Sequence, residues 1–399
     1  MTADYPIRKI FQQFYPGYLE KHPSLSVEKR KTASAIMRCK TGELGFDVSI
    51  CKDCGKILIH YASCNNRSCP CCQLPQEKKW IKLRQNEVVY GIAYYHVIFT
   101  LPDELNQLIL GNFVLLCNLM FSCVHETLLT LCADRKYMGA KPGIMTVLHT
   151  WGQKLNFHPH IHVCLSGGGL TPSGQFVQTR HKGFLIPEAV IAAMFRGKYL
   201  AGVRKLHDEG RLCFHSTPEL SDPKNWKDFI NKLYSKRWLP FVKETFNGKG
   251  NAIEYLARYS YRSAISNARI LSVTDRDVTF RYKDYKDNSI VKSRTVSGED
   301  FIHLFLLHVL PKGFNRIRYA GYLTNCCKTR NLKQIHFLIG SIWEPSSYSR
   351  MNMAELMLHL FGNDICKCPH CSGKLLHYIR DRPWSKLKVY SVNIKAVTS

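Results

Sequence analysis

Residues 156–169 read NFHPHIHVCLSGGG, with imidazoles at His158, His160 and His162 and three glycines closing the run. Side chains alternate between the two faces of a strand, so positions i and i+2 share a side. His160 and His162 therefore aim at one spot, while Ile161 and Val163 point the other way into a core. Two neutral imidazoles aimed at one point make a metal site. Working outward, YYHVIFTLP at 94–102 is a β-rich run stopped by Pro102, and GIMTVLHTWG at 143–152 reads as a further strand. A helical stretch ending near Cys132 lies between them. Strand, helix, strand, strand suits an antiparallel, ferredoxin-like split βαβ sheet. Gly167, Gly168 and Gly169 are expected to open the chain into a loop.

The 399 residues are too many for one simple core and suggest two or three units. Hydrophobic residues at 45% and aromatics at 12% indicate a folded chain. Lys+Arg 56 against Asp+Glu 30 leaves a formal charge of +26, spread along the sequence with no charged tail. Such a field predicts a polyanionic partner, and nothing resembles a basic amphipathic membrane helix, so nucleic acid is expected. The apolar run LILGNFVLLCNLMFSCV at 108–124 is interrupted by Gly111, Asn112, Asn118 and Ser122, which favours a buried helix over a membrane span. No signal peptide precedes the 17 cysteines, which argues for reduced thiols used on metal in the cytoplasm, near the nucleoid.

CKDCGKILIHYASCNNRSCPCC at 51–72 holds six of those cysteines. Two C-x2-C knuckles, Cys51/Cys54 and Cys69/Cys72, are expected to complete one tetrahedral Zn2+ ribbon, brought together by a strand at ILIHYAS. Cys64 and Cys71, and less strongly His60, are alternates. Lys52, Lys56 and Arg67 are consistent with DNA contact, as they are with any solvated face. A single further knuckle, Cys368/Cys371 in CKCPHCSGK, is a possible second zinc site, with Cys326 and Cys327 as conceivable partners.

EYLARYSYRSAISN at 254–267 reads as a helix whose Tyr255, Tyr259 and Arg262 share one stripe. Core packing with a snorkelling arginine is the ordinary fate of such a stripe. Beside the histidines it gains another meaning. A tyrosine can attack phosphorus, and its phenol, with an ordinary pKa of about 10, needs a cation to help. In-line attack by Tyr255 or Tyr259 would leave a 5′-phosphotyrosine and a free 3′-hydroxyl, with Arg262 or Arg258 stabilising the phosphorane. A second tyrosine would allow two successive strand transfers.

The order of ribbon, HVIFTLP, HPHIHV, YLARYSYRSAISNARI and LPKGFNRIRYAGYL (310–323) resembles the rolling-circle transposases of bacterial insertion sequences, the IS91 type within the HUH endonuclease superfamily. The resemblance runs from about residue 40 to 325. It implies cutting and joining of single-stranded DNA at transposon ends and target, with Mg2+ or Mn2+ at His160 and His162 and with Tyr255 and Tyr259 as nucleophiles. A third metal ligand stays open among His158, His149, Gln153 and Asn267. The expected fold class is α+β. It comprises an N-terminal zinc ribbon (1–85), a central HUH nuclease (86–275) and a mostly helical, basic C-terminal region (276–399). A non-catalytic zinc-ribbon DNA-binding protein would leave the His and Tyr motifs idle. A His-x-His zinc hydrolase lacks its downstream Asp and His, since Cys164 and Leu165 stand there. A rolling-circle replication initiator shares the chemistry.

Overall fold

The computed structural model describes residues 5–179, 186–238, 240–244, 263–285, 287–382 and 385–389. Its centre is an antiparallel sheet. Its strands are β3 (Tyr94–Thr100), β4 (Lys141–Trp151), β5 (Phe157–Leu170), β7 (Phe241–Glu244) and β11 (Ile317–Gly321), in the order β11-β4-β5-β3-β7. A short β6 (Phe176–Gln178) pairs with the far end of β5. The 14-residue β5 occupies the middle, where neighbours satisfy its backbone on both sides.

The expected alternation holds. Tyr95, Val97 and Phe99 of β3, Ile144 and Leu148 of β4, and Ile161, Val163 and Leu165 of β5 face one cluster. Into it pack α5 (Phe113–Ala133) and α6 (Glu188–Asp208), with a short α4 (Asn106–Gly111) and α7 (Pro223–Ser235) at the margins. Each fully buried side chain of this kind contributes roughly 1.5–3 kcal/mol. The helix α5 is long and apolar enough to cross a bilayer. Its Leu116, Met120, Phe121, Val124 and Leu128 instead cover the sheet.

Two expectations fail here. Gly167, Gly168 and Gly169 do not open a loop; they continue β5, and Gly168 and Gly169 pair with Gln178 and Val177. The glycines are needed for close approach. A Cβ on Gly169 would lie 2.6 Å from the Lys141 carbonyl oxygen, and one on Gly168 2.7 Å from the Phe176 ring. Nor is the C-terminal region mostly helical. Beside α8 (Gly298–Leu306), α9 (Lys328–Leu338) and α10 (Met353–Phe361) it carries β11, which completes the central sheet, and strands that complete two more.

The chain ends weave through the expected boundaries. Helix α1 (Pro6–Lys21), followed by α2 (Val27–Arg38), packs on α8 and on the sheet of β8 (Ile270–Val273), β9 (Asp277–Asp284) and β10 (Ile290–Ser297). Phe11 meets Phe305 edge-on at 5.1 Å. The hairpin of β1 (Phe46–Cys51) and β2 (Ile57–Tyr61) joins β12 (Leu375–Arg382) and β13 (Ser385–Val389) in the order β13-β12-β1-β2. Helix α3 (Leu74–Gln85) brings Trp80 and Ile81 against Tyr94, Met145, Cys164 and Tyr322, part of the sheet face opposite α5.

Candidate active site and metal centres

That opposite face carries the histidines. In register, His160 of β5 stands between Thr100 of β3 and His149 of β4, and His162 between Ile98 and Val147. The ring nitrogens of His149, His160 and His162 lie within 4.8 Å of one another. Ring centroids are 4.9 Å apart for His160 and His162, and 4.6 Å for His149 and His162. His160 Nδ1 donates to the His158 carbonyl at 2.7 Å, which turns its Nε2 lone pair outward as the ligand atom. His162 Nδ1 is 2.9 Å from Nε2 of His96, and the two ring planes are 6° apart. Burial pushes the His160 pKa down to about 4, opposed by its bond to the His158 carbonyl. Burial, with the nearby His149, His160 and His96, drives His162 well below the usual range. His160 and His162 are therefore neutral and ready to donate at pH 7.

Of the four possible third ligands only His149 joins. His158 points to Asp103, 3.3 Å from Nδ1 to Oδ1. The Gln153 side chain contacts Tyr285 and the Lys283 amide, and Asn267 accepts from the Ile7 amide and donates to the Pro70 carbonyl. His96 was not anticipated; its signal was the leading residue of HVIFTLP, two places from the partner of His162 in the β3–β5 register. Tyr255, Arg258, Tyr259, Tyr261 and Arg262 lie outside the described residues.

The expected single ribbon is divided in two. Cys69 and Cys72 gather with Cys39 and Cys64, whereas Cys51 and Cys54 gather with Cys368 and Cys371; each quartet lies within 4.8 Å. The strand thought to unite the knuckles separates them. Cys51–Cys54 is the turn of the β1–β2 hairpin, and Tyr61 pairs with Phe46 at its other end, so residues 64–72 begin a full strand away. Six residues of strand span roughly 17 Å, far beyond one coordination sphere. Cys326 and Cys327 join neither group. Cys39 follows α2 without a second cysteine near it, so no spacing marks it.

The first quartet is packed into the core shared by α1, α2 and α8. Amides of Cys64, Asn66 and Cys71 approach the sulfurs of Cys39, Cys64 and Cys69 at 3.4–3.5 Å, the donors a thiolate needs. Arg67, a sequence candidate for DNA contact, is spent otherwise. It donates to the carbonyls of Leu310, Pro311 and Phe314 at 2.8–2.9 Å, pinning this module to the loop that leads into β11.

A cavity of about 570 Å³ opens at the sheet edge near Asn118, Lys312, Asn315 and Arg318. None of the three metal-ligand groups among the described residues lines it.

Comparison with known proteins matches the two regions to two families. Residues 10–101, containing all of the first quartet, match the family described as a transposase zinc-binding domain. Residues 143–330, containing His149, His160 and His162, match the family described as a putative transposase. The chain is 25% identical over 402 residues to the transposase for insertion sequence element IS801 of Pseudomonas savastanoi pv. phaseolicola, covering 98% of this chain and 93% of that one. It is 37% identical over 368 residues to the putative transposase y4qJ of Sinorhizobium fredii, covering 92% of each. No solved structure matches. With a zinc-binding module, a transposase core and relatives aligned along nearly the whole length, this chain belongs to the transposases of the IS91 family of insertion sequences.

Proposed function

We propose that the protein cuts and rejoins single-stranded DNA by rolling-circle, HUH-type transesterification on tyrosine. The observation that carries this reading is the convergence of His149, His160 and His162 on one face of the central sheet. Three imidazoles fit a divalent cation with positions left over, and Mn2+ suits nitrogen donors better than Mg2+, which prefers oxygen. Bound there, such an ion would draw charge from a non-bridging oxygen of the scissile phosphate. The strand order β7-β3-β5-β4, with helices following β3 and β5, is that of a split βαβ sheet and supports the HUH assignment.

The phenol of Tyr255 or Tyr259 attacks phosphorus in line. The bond to the 3′ oxygen breaks, the 5′ phosphate stays on the tyrosine, and the 3′-hydroxyl leaves with a proton. Arg262 offsets charge on the phosphorane. A second 3′-hydroxyl later reverses the step, and because the bond energy is kept, no ATP is needed. Both flanks of the tyrosine segment support its reach. Glu244 of β7 pairs with Tyr95 of β3, and Ala264 and Ile265 are buried in the cluster against which Trp151, stacked 4.5 Å from His149, also packs.

The test is incubation of the full chain with single-stranded element ends and Mn2+, followed by mapping of the DNA-linked peptide. An adduct on Tyr255 or Tyr259 is expected. The double variant Tyr255→Phe/Tyr259→Phe should bind DNA normally and cut none. Cutting by that variant would place the nucleophile elsewhere.

A further inference from the structure

The second cysteine quartet lies half outside the matched zinc-binding domain, since Cys368 and Cys371 fall far beyond residue 101. The first quartet is already complete within that domain. We propose that Cys51, Cys54, Cys368 and Cys371 hold a second, structural zinc ion that staples the C-terminal strands to the N-terminal hairpin. The proposal does not depend on the nuclease reading.

Three observations carry it. First, the sulfurs have tetrathiolate spacing. Zinc–sulfur bonds of about 2.3 Å in a tetrahedron set sulfurs about 3.8 Å apart. Cys54 and Cys368 are 3.8 Å apart and Cys51 and Cys371 3.4 Å, all well beyond a disulfide. Second, the two knuckles are docked. The Lys52 amide donates to the Lys374 carbonyl at 3.0 Å, Cys51 pairs with Leu375, and a Cβ on Gly373 would collide with the Asp53 carboxylate. Gly55 at φ +69° and Ser372 at φ +61° close the two turns. Third, the described apolar core of this sheet is small. Its described core is Cys51, Cys368 and Leu375 with Leu58 beside them, while Ile57, Ile59 and Tyr61 of β2 are 62%, 54% and 50% exposed. A four-stranded sheet with so little apolar burial needs a cross-link, and zinc supplies one as folding energy.

The discriminating measurement uses the wild-type full chain. Cys54, Cys326, Cys366 and Cys371 are all exposed. N-ethylmaleimide followed by peptide mass spectrometry should label Cys326 and Cys366 quickly but spare Cys54 and Cys371 until a chelator, and not a reductant, is added. Metal analysis should find two zinc ions per chain, falling to one in Cys368→Ser/Cys371→Ser. Should that variant fail to fold, the labelling pattern decides. Labelling of Cys54 and Cys371 at the Cys366 rate, protection released by reductant, or a variant that keeps two zinc ions would overturn the proposal.

Discussion

The histidine cluster and the Cys39/Cys64/Cys69/Cys72 quartet both draw donor atoms within 4.8 Å, yet they are built oppositely. The histidines sit at fixed register on two adjacent strands of a sheet whose other face is fully packed, so removing an imidazole leaves the frame standing. The cysteines come from the end of α2 and the irregular stretch before α3, with the β1–β2 hairpin between Cys39 and Cys64. They share the core of α1 and α8. Four thiolates complete a tetrahedron and close it to solvent chemistry, while three imidazoles leave room for a phosphate. One site spends its metal on folding and the other, in our reading, on reaction.

The contrast can be broken by substitution. His160→Ala should cut cleavage by at least about 10³-fold, the scale of losing a metal's charge stabilisation. Its melting temperature and zinc content should stay at the wild-type values. Parallel loss of fold and activity would erase the distinction. Cys69→Ser should do the reverse, lowering soluble yield and zinc content first, because a structural zinc site contributes folding energy outright. Unchanged zinc content by mass spectrometry would remove Cys69 from the site.

Acid sharpens the comparison from the scaffold's side. His308 is buried between the Thr150 hydroxyl and the Leu155 carbonyl, and burial lowers its pKa to about 4. The unfolded chain, with an ordinary histidine, takes up the proton first as pH falls. Stability from this group is thus complete above about pH 6.5 and declines down to about pH 4, by at most about 3 kcal/mol. In zinc-loaded protein without added Mn2+ or Mg2+, His308→Gln should flatten the fall in denaturation midpoint between those limits; an unaltered slope would show that other groups cause it. The smallest effect is expected at His96, which touches His162 and not the metal. His96→Ala should weaken Mn2+ affinity by about 10–100-fold while leaving cleavage at saturating metal near normal, as measured by metal titration of the cleavage rate.

Much of the centre was legible because it rests on periodicity. The alternation of Ile161 and Val163 against His160 and His162 predicts both faces of β5, and the run to Cys132 predicts α5. Spacing misled where it was read as proximity. A C-x2-C knuckle announces two ligands but not which other two, and the hairpin between Cys51 and Cys69 carried them apart. Glycines misled in the same way, since a residue suited to a loop is equally suited to strands packed too tightly for a Cβ.

The sequence by itself determined the donor groups and the field around them: imidazoles on one strand face, thiol pairs in knuckles, and a +26 charge calling for a polyanion. These follow from local geometry and composition, which a linear chain carries in full. Only the tertiary structure decided the partners. His149 was chosen over three rivals by the β4–β5 register, Cys39 was drawn into a quartet by the docking of α2, and Cys368 and Cys371 were brought to Cys51 by the pairing of β12 with β1. Such choices depend on contacts between residues as many as 320 positions apart, which no short-range pattern encodes.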